Sequence, residues 1–209
     1  MWVPVVLGVI VMLVGWAFVT HLQRQQRQRR IEQFRFPDAI VNKVSQAYPH
    51  LGEGEVGRVM DGLRDYFLVC NLAGRRMVAM PSQAVDLAWH EFILHTRLYQ
   101  LFCRRSLGRF LHHTPAEAMR SPTQAQEGIK RAWRVSCLRE GINPRSPSRL
   151  PLLFALDDEL NIPDGFRYSL DCKRGKGDGY CAGHIGCSSG CGGGCTGDSG
   201  CSGGCGGGD

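Results

Sequence analysis

Four histidines fall within the 31 residues from Val85 to Pro115 of this 209-residue chain. Asp86 and His90 are four apart, one helical turn, so the carboxylate can orient the imidazole and raise its basicity. His95 lies five residues beyond His90. On one helix that is roughly 140° round the axis, so His90 and His95 cannot serve one metal ion from that helix alone. A further imidazole would have to come from His112 or His113, past the turn at Gly108, with Cys103 as a neighbouring thiol. Such a set could hold a zinc ion or place a general base. The competing reading makes His90 a hydrogen-bonded histidine at a helix boundary and the His112-His113 pair a cap before Pro115.

The element that would carry these groups is a long amphipathic helix. Val85, Ala88, Trp89, Phe92, Thr96, Tyr99 and Phe102 recur at steps of three and four, a stripe that points into a core. Pro81 and Ser82 mark its start and Gly108 its latest end. Asp86, Trp89-His90, Leu94, Tyr99, Phe102-Cys103, Gly108 and His112-His113 ahead of Pro115 together resemble the glycine-rich domain-containing protein-like family, in particular its short bacterial, membrane-anchored members. Plant relatives favour a second histidine two residues after the first and a proline further on. Here Phe92 and Thr96 stand at those places. The resemblance spans about thirty residues and implies no agreed biochemical activity.

Shorter helices are expected around this stripe, to make four or five in all. Phe36-Pro37-Asp38 opens one carrying Ile40, Val41 and Val44, which ends near Tyr48-Pro49. A second runs from about Glu53 to Leu72 and stops at Gly74. Ser121-Pro122-Thr123-Gln124 has the form of a capping box for a helix to Gly141. The last helix is LLFALDDELNI, whose acidic run Asp157, Asp158, Glu159 reads as a solvated face. The fold class is therefore mainly α, an irregular bundle of four to five helices over residues 36–171.

Both ends differ from this domain. Residues Trp2 to Thr20 carry no charge, and nineteen helical residues reach about 28 Å, near the hydrocarbon thickness of a bilayer. A signal peptide is the competitor, but no basic residue precedes the apolar run and no small-x-small cleavage site follows. Residues 1–20 therefore read as a single transmembrane anchor and residues 21–35 as a basic juxtamembrane linker. The linker holds Arg24, Arg27, Arg29, Arg30 and Arg35 against Glu32 alone. Positive charge on that side places the amino terminus outside and the domain in the cytoplasm, at the inner membrane of the cell. Those arginines are also placed to meet anionic headgroups. Residues 36–171 carry 17 Lys or Arg against 15 Asp or Glu, a balance of +2. A nucleic-acid domain would need a basic face of its own, so that class is disfavoured.

Residues 172–209 hold 16 of the 27 glycines and seven of the ten cysteines. So little apolar material cannot offset the entropy of ordering glycine, and a disordered tail is expected unless it is cross-linked. Cys181, Cys187, Cys191, Cys195, Cys201 and Cys205 are candidate thiolate ligands, zinc again being the natural ion. Their spacing, mostly three residues between cysteines, is not that of a zinc ribbon. Nucleotide loops, a Gly-x-Ser-x-Gly elbow and an HExxH motif are all missing from the chain. The leading reading is a membrane-anchored, cytoplasm-facing binding or scaffold protein with a protein partner, metal- or redox-responsive through its tail. The alternative is an enzyme with a site made from Asp86, His90, His112 and His113.

Overall fold

The computed structural model describes residues 2–113, 122–170, 180, 181 and 185. Chain order is α1 (Val3–Glu32), α2 (Asp38–Ala47), α3 (Glu53–Ala73), α4 (Gln83–Leu94), α5 (Thr96–Phe102), a π-helical turn (Cys103–Leu107), α6 (Pro122–Arg139) and α7 (Leu152–Glu159). Two residues of β1 (Tyr168–Ser169) pair in parallel with two of β2 (Tyr180–Cys181), Tyr168 opposite Tyr180. The protein is mainly helical, as its periodicities require.

The apolar start of α1 is exposed along its length, and α1 is long and apolar enough to cross a membrane by length and composition, a test that a signal sequence also passes. Residues 21–32 continue the same helix without a break. Its last turn enters the bundle: Ile31 is fully buried, and Phe34, just beyond, packs on Phe36, Phe92 and Phe102.

Helix α3 is the axis of the bundle, with α1, α2, α4, α6 and α7 packed on it. Most of its positions are buried, from Val56 to Ala73. Gly62 allows the closest approach. A Cβ there would stand 2.8 Å from Val85 Cγ2 on α4 and 3.1 Å from Leu156 Cδ2 on α7. Glu55 starts α3 by accepting the Gly52 N–H at 2.8 Å, and Gly74 (φ 67°) ends it. Helices α2, α6 and α7 fall where they were expected. The residues Ser121 and Gln124, on which the capping box depends, lie outside the described side chains.

Two expectations are corrected. The central helix is not continuous: it breaks at His95 (φ −76°, ψ 56°), which ends α4 and opens α5. In a straight helix Trp89 and Tyr99 would be about 15 Å apart along the axis. The bend instead lets the Trp89 indole N–H donate to the Tyr99 hydroxyl at 3.1 Å and packs the Phe92 and Tyr99 rings 5.2 Å apart. Thr96, counted in the inward stripe, is exposed on the new helix. The break also raises the number of bundle helices after α1 from five to six among the described residues.

The acidic run is the second correction. Asp158 and Glu159 are exposed and pair with Arg167 and Arg58, but Asp157 is 2% exposed. It accepts hydrogen bonds from Ser82 Oγ at 2.5 Å, from the N–H groups of Gln83 and Ala84 at 2.7 and 3.3 Å, and from that of Phe166 at 2.9 Å. A carboxylate at the first turn of α4 satisfies donors that have no partner within the helix and opposes its dipole.

Candidate metal centre

The amino-terminal half of α4 supplies two of the chemistry-bearing groups. Ser82 caps the helix, accepting the Val85 N–H at 3.2 Å, and Asp157 holds the same turn from α7. Asp86 and His90 then project from one face. His90 Nδ1 lies 2.9 Å from the Asp86 carbonyl oxygen and 3.3 Å from its carboxylate Oδ2.

The third group arrives from the segment after the π turn. Gly108 (φ 70°) reverses the chain there, and Arg109 donates to the Gly74 carbonyl at 2.6 Å. Tyr99, buried and hydrogen-bonded to Trp89, donates its hydroxyl proton to the Leu111 carbonyl at 2.5 Å. That bond fixes the segment whose next residues are the histidine pair. His113 Nε2 comes to 3.1 Å from Asp86 Oδ1, and its ring lies 4.7 Å from that of Trp89 and 4.1 Å from that of His90.

Asp86, His90 and His113 each offer one ligand atom, all within 4.8 Å of one another. Zinc bonds of about 2.1 Å in tetrahedral geometry place neighbouring ligand atoms about 3.4 Å apart. The nitrogen-to-oxygen separations, 3.1 Å to Asp86 Oδ1 and 3.3 Å to Asp86 Oδ2, are each close to that edge, one for each carboxylate oxygen. An ion bound at His90 Nδ1 would replace the bond to the Asp86 carbonyl, the ring proton moving to Nε2. Exposure is graded across the site: the side chain of His113 is 16% exposed, Asp86 23% and His90 50%. Trp89 closes the inner side and His90 leaves the outer side open.

The remaining candidates do not join them. His95 lies at the helix break, and His112 is exposed with its ring against Phe110. Trp89 and Tyr99 are core groups that position the site. Cys103 is fully buried, and burial pushes its thiol up, so it stays protonated and offers no thiolate. Cys181 lies in β2 with no described side chain, and Cys187, Cys191, Cys195, Cys201 and Cys205 lie outside the described residues, as does the expected disorder of the tail.

Sequence reasoning missed Asp157 as a support of the site. A signal existed: it falls four residues after Leu153 and three before Leu160, on the inward stripe of α7.

The sequence pattern of the UCP032817-like family matches residues 26–187, more than three quarters of the chain. The chain belongs to the UCP032817-like family. No curated protein and no solved structure matches it. The span matched to the UCP032817-like family takes in the last turns of α1, the bundle and all three residues of the candidate metal centre. The family is uncharacterised, so its membership assigns no reaction.

Proposed function

We propose that this chain is a membrane-anchored binding protein whose cytoplasmic domain holds one divalent transition-metal ion, zinc by preference, between Asp86, His90 and His113. One observation carries the reading: the two oxygens of a single carboxylate lie 3.1 and 3.3 Å from nitrogens of two different imidazoles. Two nitrogens and one oxygen suit zinc better than the all-oxygen cations. Helix α1 supplies the anchor, and the arginines that follow Thr20 supply the orientation. The resemblance of Asp86–Pro115 to the glycine-rich domain-containing protein-like family belongs with this reading and adds no activity to it.

Three protein ligands leave a fourth position, and the half-exposed His90 side chain opens it to solvent. That arrangement also supports an enzyme, because a metal ion with an open position activates water. The binding reading is preferred because the sequence carries no nucleotide loop, Gly-x-Ser-x-Gly elbow or HExxH motif to accompany the three ligands.

Cobalt(II) titration of the purified full chain tests the site. Imidazole and carboxylate ligands give weak visible bands, whereas thiolates of the cysteine-rich tail give intense near-ultraviolet charge transfer. The expected result is an equimolar binding step without charge transfer, lost in His113→Ala and in His90→Gln. The same step in parent and both variants would overturn the centre. For the orientation, a carboxyl-terminal reporter active only outside the cytoplasm would reverse the topology.

A further inference from the structure

Folding adds a second set of arginines to those that follow the apolar segment. Arg104 and Arg105 belong to the π turn, which packs against the last turns of α1. Arg30 Nη1 donates to the Arg105 carbonyl at 2.8 Å, and Arg27 Nη1 to the Leu107 carbonyl at 3.4 Å. The guanidinium of Arg27 also lies across Gly108, where any Cβ would collide with it. Arg24, Arg29, Arg30, Arg104 and Arg105 are all exposed, and among the described residues none of them forms an ion pair. Like charges gathered in this way repel one another until a counter-charge arrives.

We propose that this two-element arginine cluster binds anionic phospholipid headgroups, so that Arg104 and Arg105 of the domain itself rest against the bilayer that α1 enters. The inference rests on the anchoring reading of α1 and extends it to the bundle. The levels agree. At 1.5 Å per residue, Arg24, Arg27 and Arg30 stand about 6, 10 and 15 Å beyond Thr20. The headgroup layer is about 5 to 7 Å deep on each side, and the field of an anionic surface decays over about 8 Å. Arg24 thus lies among the headgroups, and the turn gripped by Arg27 and Arg30 lies within the reach of their field. Arginine suits the ligand, because its planar fork meets two phosphate oxygens at once. The covalent continuity of the turn's docking site with a helix long and apolar enough to cross a membrane selects a lipid phosphate over one free in solution.

Native mass spectrometry of the full chain, in micelles holding equal phosphatidylglycerol and phosphatidylcholine, reads which lipid is retained. The parent should keep phosphatidylglycerol. Arg104→Gln with Arg105→Gln should lower that retention about twenty-five-fold, about fivefold for each charge near the surface. The Lys pair at the same positions should keep most of it. Equal retention by the parent and the Gln pair would overturn the proposal. So would loss in both pairs, which would assign the effect to the shape of the turn, and so would displacement of the lipid by millimolar inorganic phosphate. Alkaline carbonate extraction of native membranes separates this from failure of the anchor. Retention of parent and Gln pair in the membrane upholds the anchor whichever way the lipid result falls; release of both removes the anchor and the proposal with it.

Discussion

Asp157 shows how much of the candidate metal centre depends on one side chain that touches none of its three residues. Its carboxylate accepts four hydrogen bonds in a site closed to water, three of them from Ser82, Gln83 and Ala84 at the start of α4. Hydrogen bonds to a charged group contribute about 1.5 to 3 kcal/mol each, and orphaned buried donors add their own cost. Asp157→Ala should therefore destabilise the domain by about 3 kcal/mol or more, and Asp157→Asn by less, as read from urea midpoints. A loss under about 1 kcal/mol would mean that water replaces the carboxylate. Tyr99 acts at the same scale. Tyr99→Phe leaves the Leu111 carbonyl and the Trp89 N–H without their partner, at about 1 to 3 kcal/mol. It should also weaken cobalt binding severalfold, since Leu111 is two residues from His113. Unchanged affinity would show that the Asp86 contact alone holds His113.

At the scale of elements, the path from α5 through the π turn to Gly108 decides where the histidine pair goes. Gly108 adopts φ 70°, a conformation that costs an L-residue about 1 to 2 kcal/mol, and the Arg27 guanidinium occupies the space of its missing Cβ. Gly108→Ala should lower stability by about 2 kcal/mol and free α1 from the turn, visible as faster hydrogen exchange at residues 27–32. Arg27→Ala combined with it should cost less than the sum of the two, because the collision is gone.

The elements themselves were largely legible in the sequence. Pro37, Gly74, Pro81 with Ser82, and Gly108 mark real boundaries because each acts locally, through a fixed or positive φ or an absent N–H. The break at His95 was hidden, because Phe92, Tyr99 and Phe102 keep helical spacing on either side of it. Only the demand that indole, phenol and the Leu111 carbonyl meet in one core bends the chain there. For the site, Asp86 and His90 could be read from their four-residue step. The choice of His113 over His112 could not, since tertiary contacts alone decide which of two neighbouring residues outside a helix faces the site.

For the molecule as a whole, the buried protonated groups set the behaviour in alkali. Burial pushes the Cys70 thiol and the Tyr48 phenol up to about 12 and the Cys137 thiol up to about 11. The unfolded chain releases these protons at the ordinary values of 9.0 and 10.0, so above them the folded state binds more protons. Their contribution is complete below pH 9 and is lost as pH rises from there toward 12. Cys70 alone should account for about 2 to 3 kcal/mol between pH 9 and 11. Urea midpoints across that range should fall, and less steeply in Cys70→Ala. A flat profile would mean that the thiol reaches water in the folded state.

The unbroken course of α1 sets the attitude of the whole domain. Its apolar end and its last turn, where Ile31 is sealed into the core, are parts of one rod. Whatever fixes the rotation of the apolar part of α1 about its axis therefore fixes the bearing of the Asp86, His90 and His113 cluster as well. One residue inserted between Gln23 and Gln26 would advance the domain by 1.5 Å and swing it through about 100°, whereas a seven-residue insertion, nearly two full turns, would almost restore its heading about 10 Å further out. The domain is thus keyed in azimuth like the bit of a screwdriver on its shaft, and a partner approaching along one direction would meet the His90 opening or miss it according to helical phase.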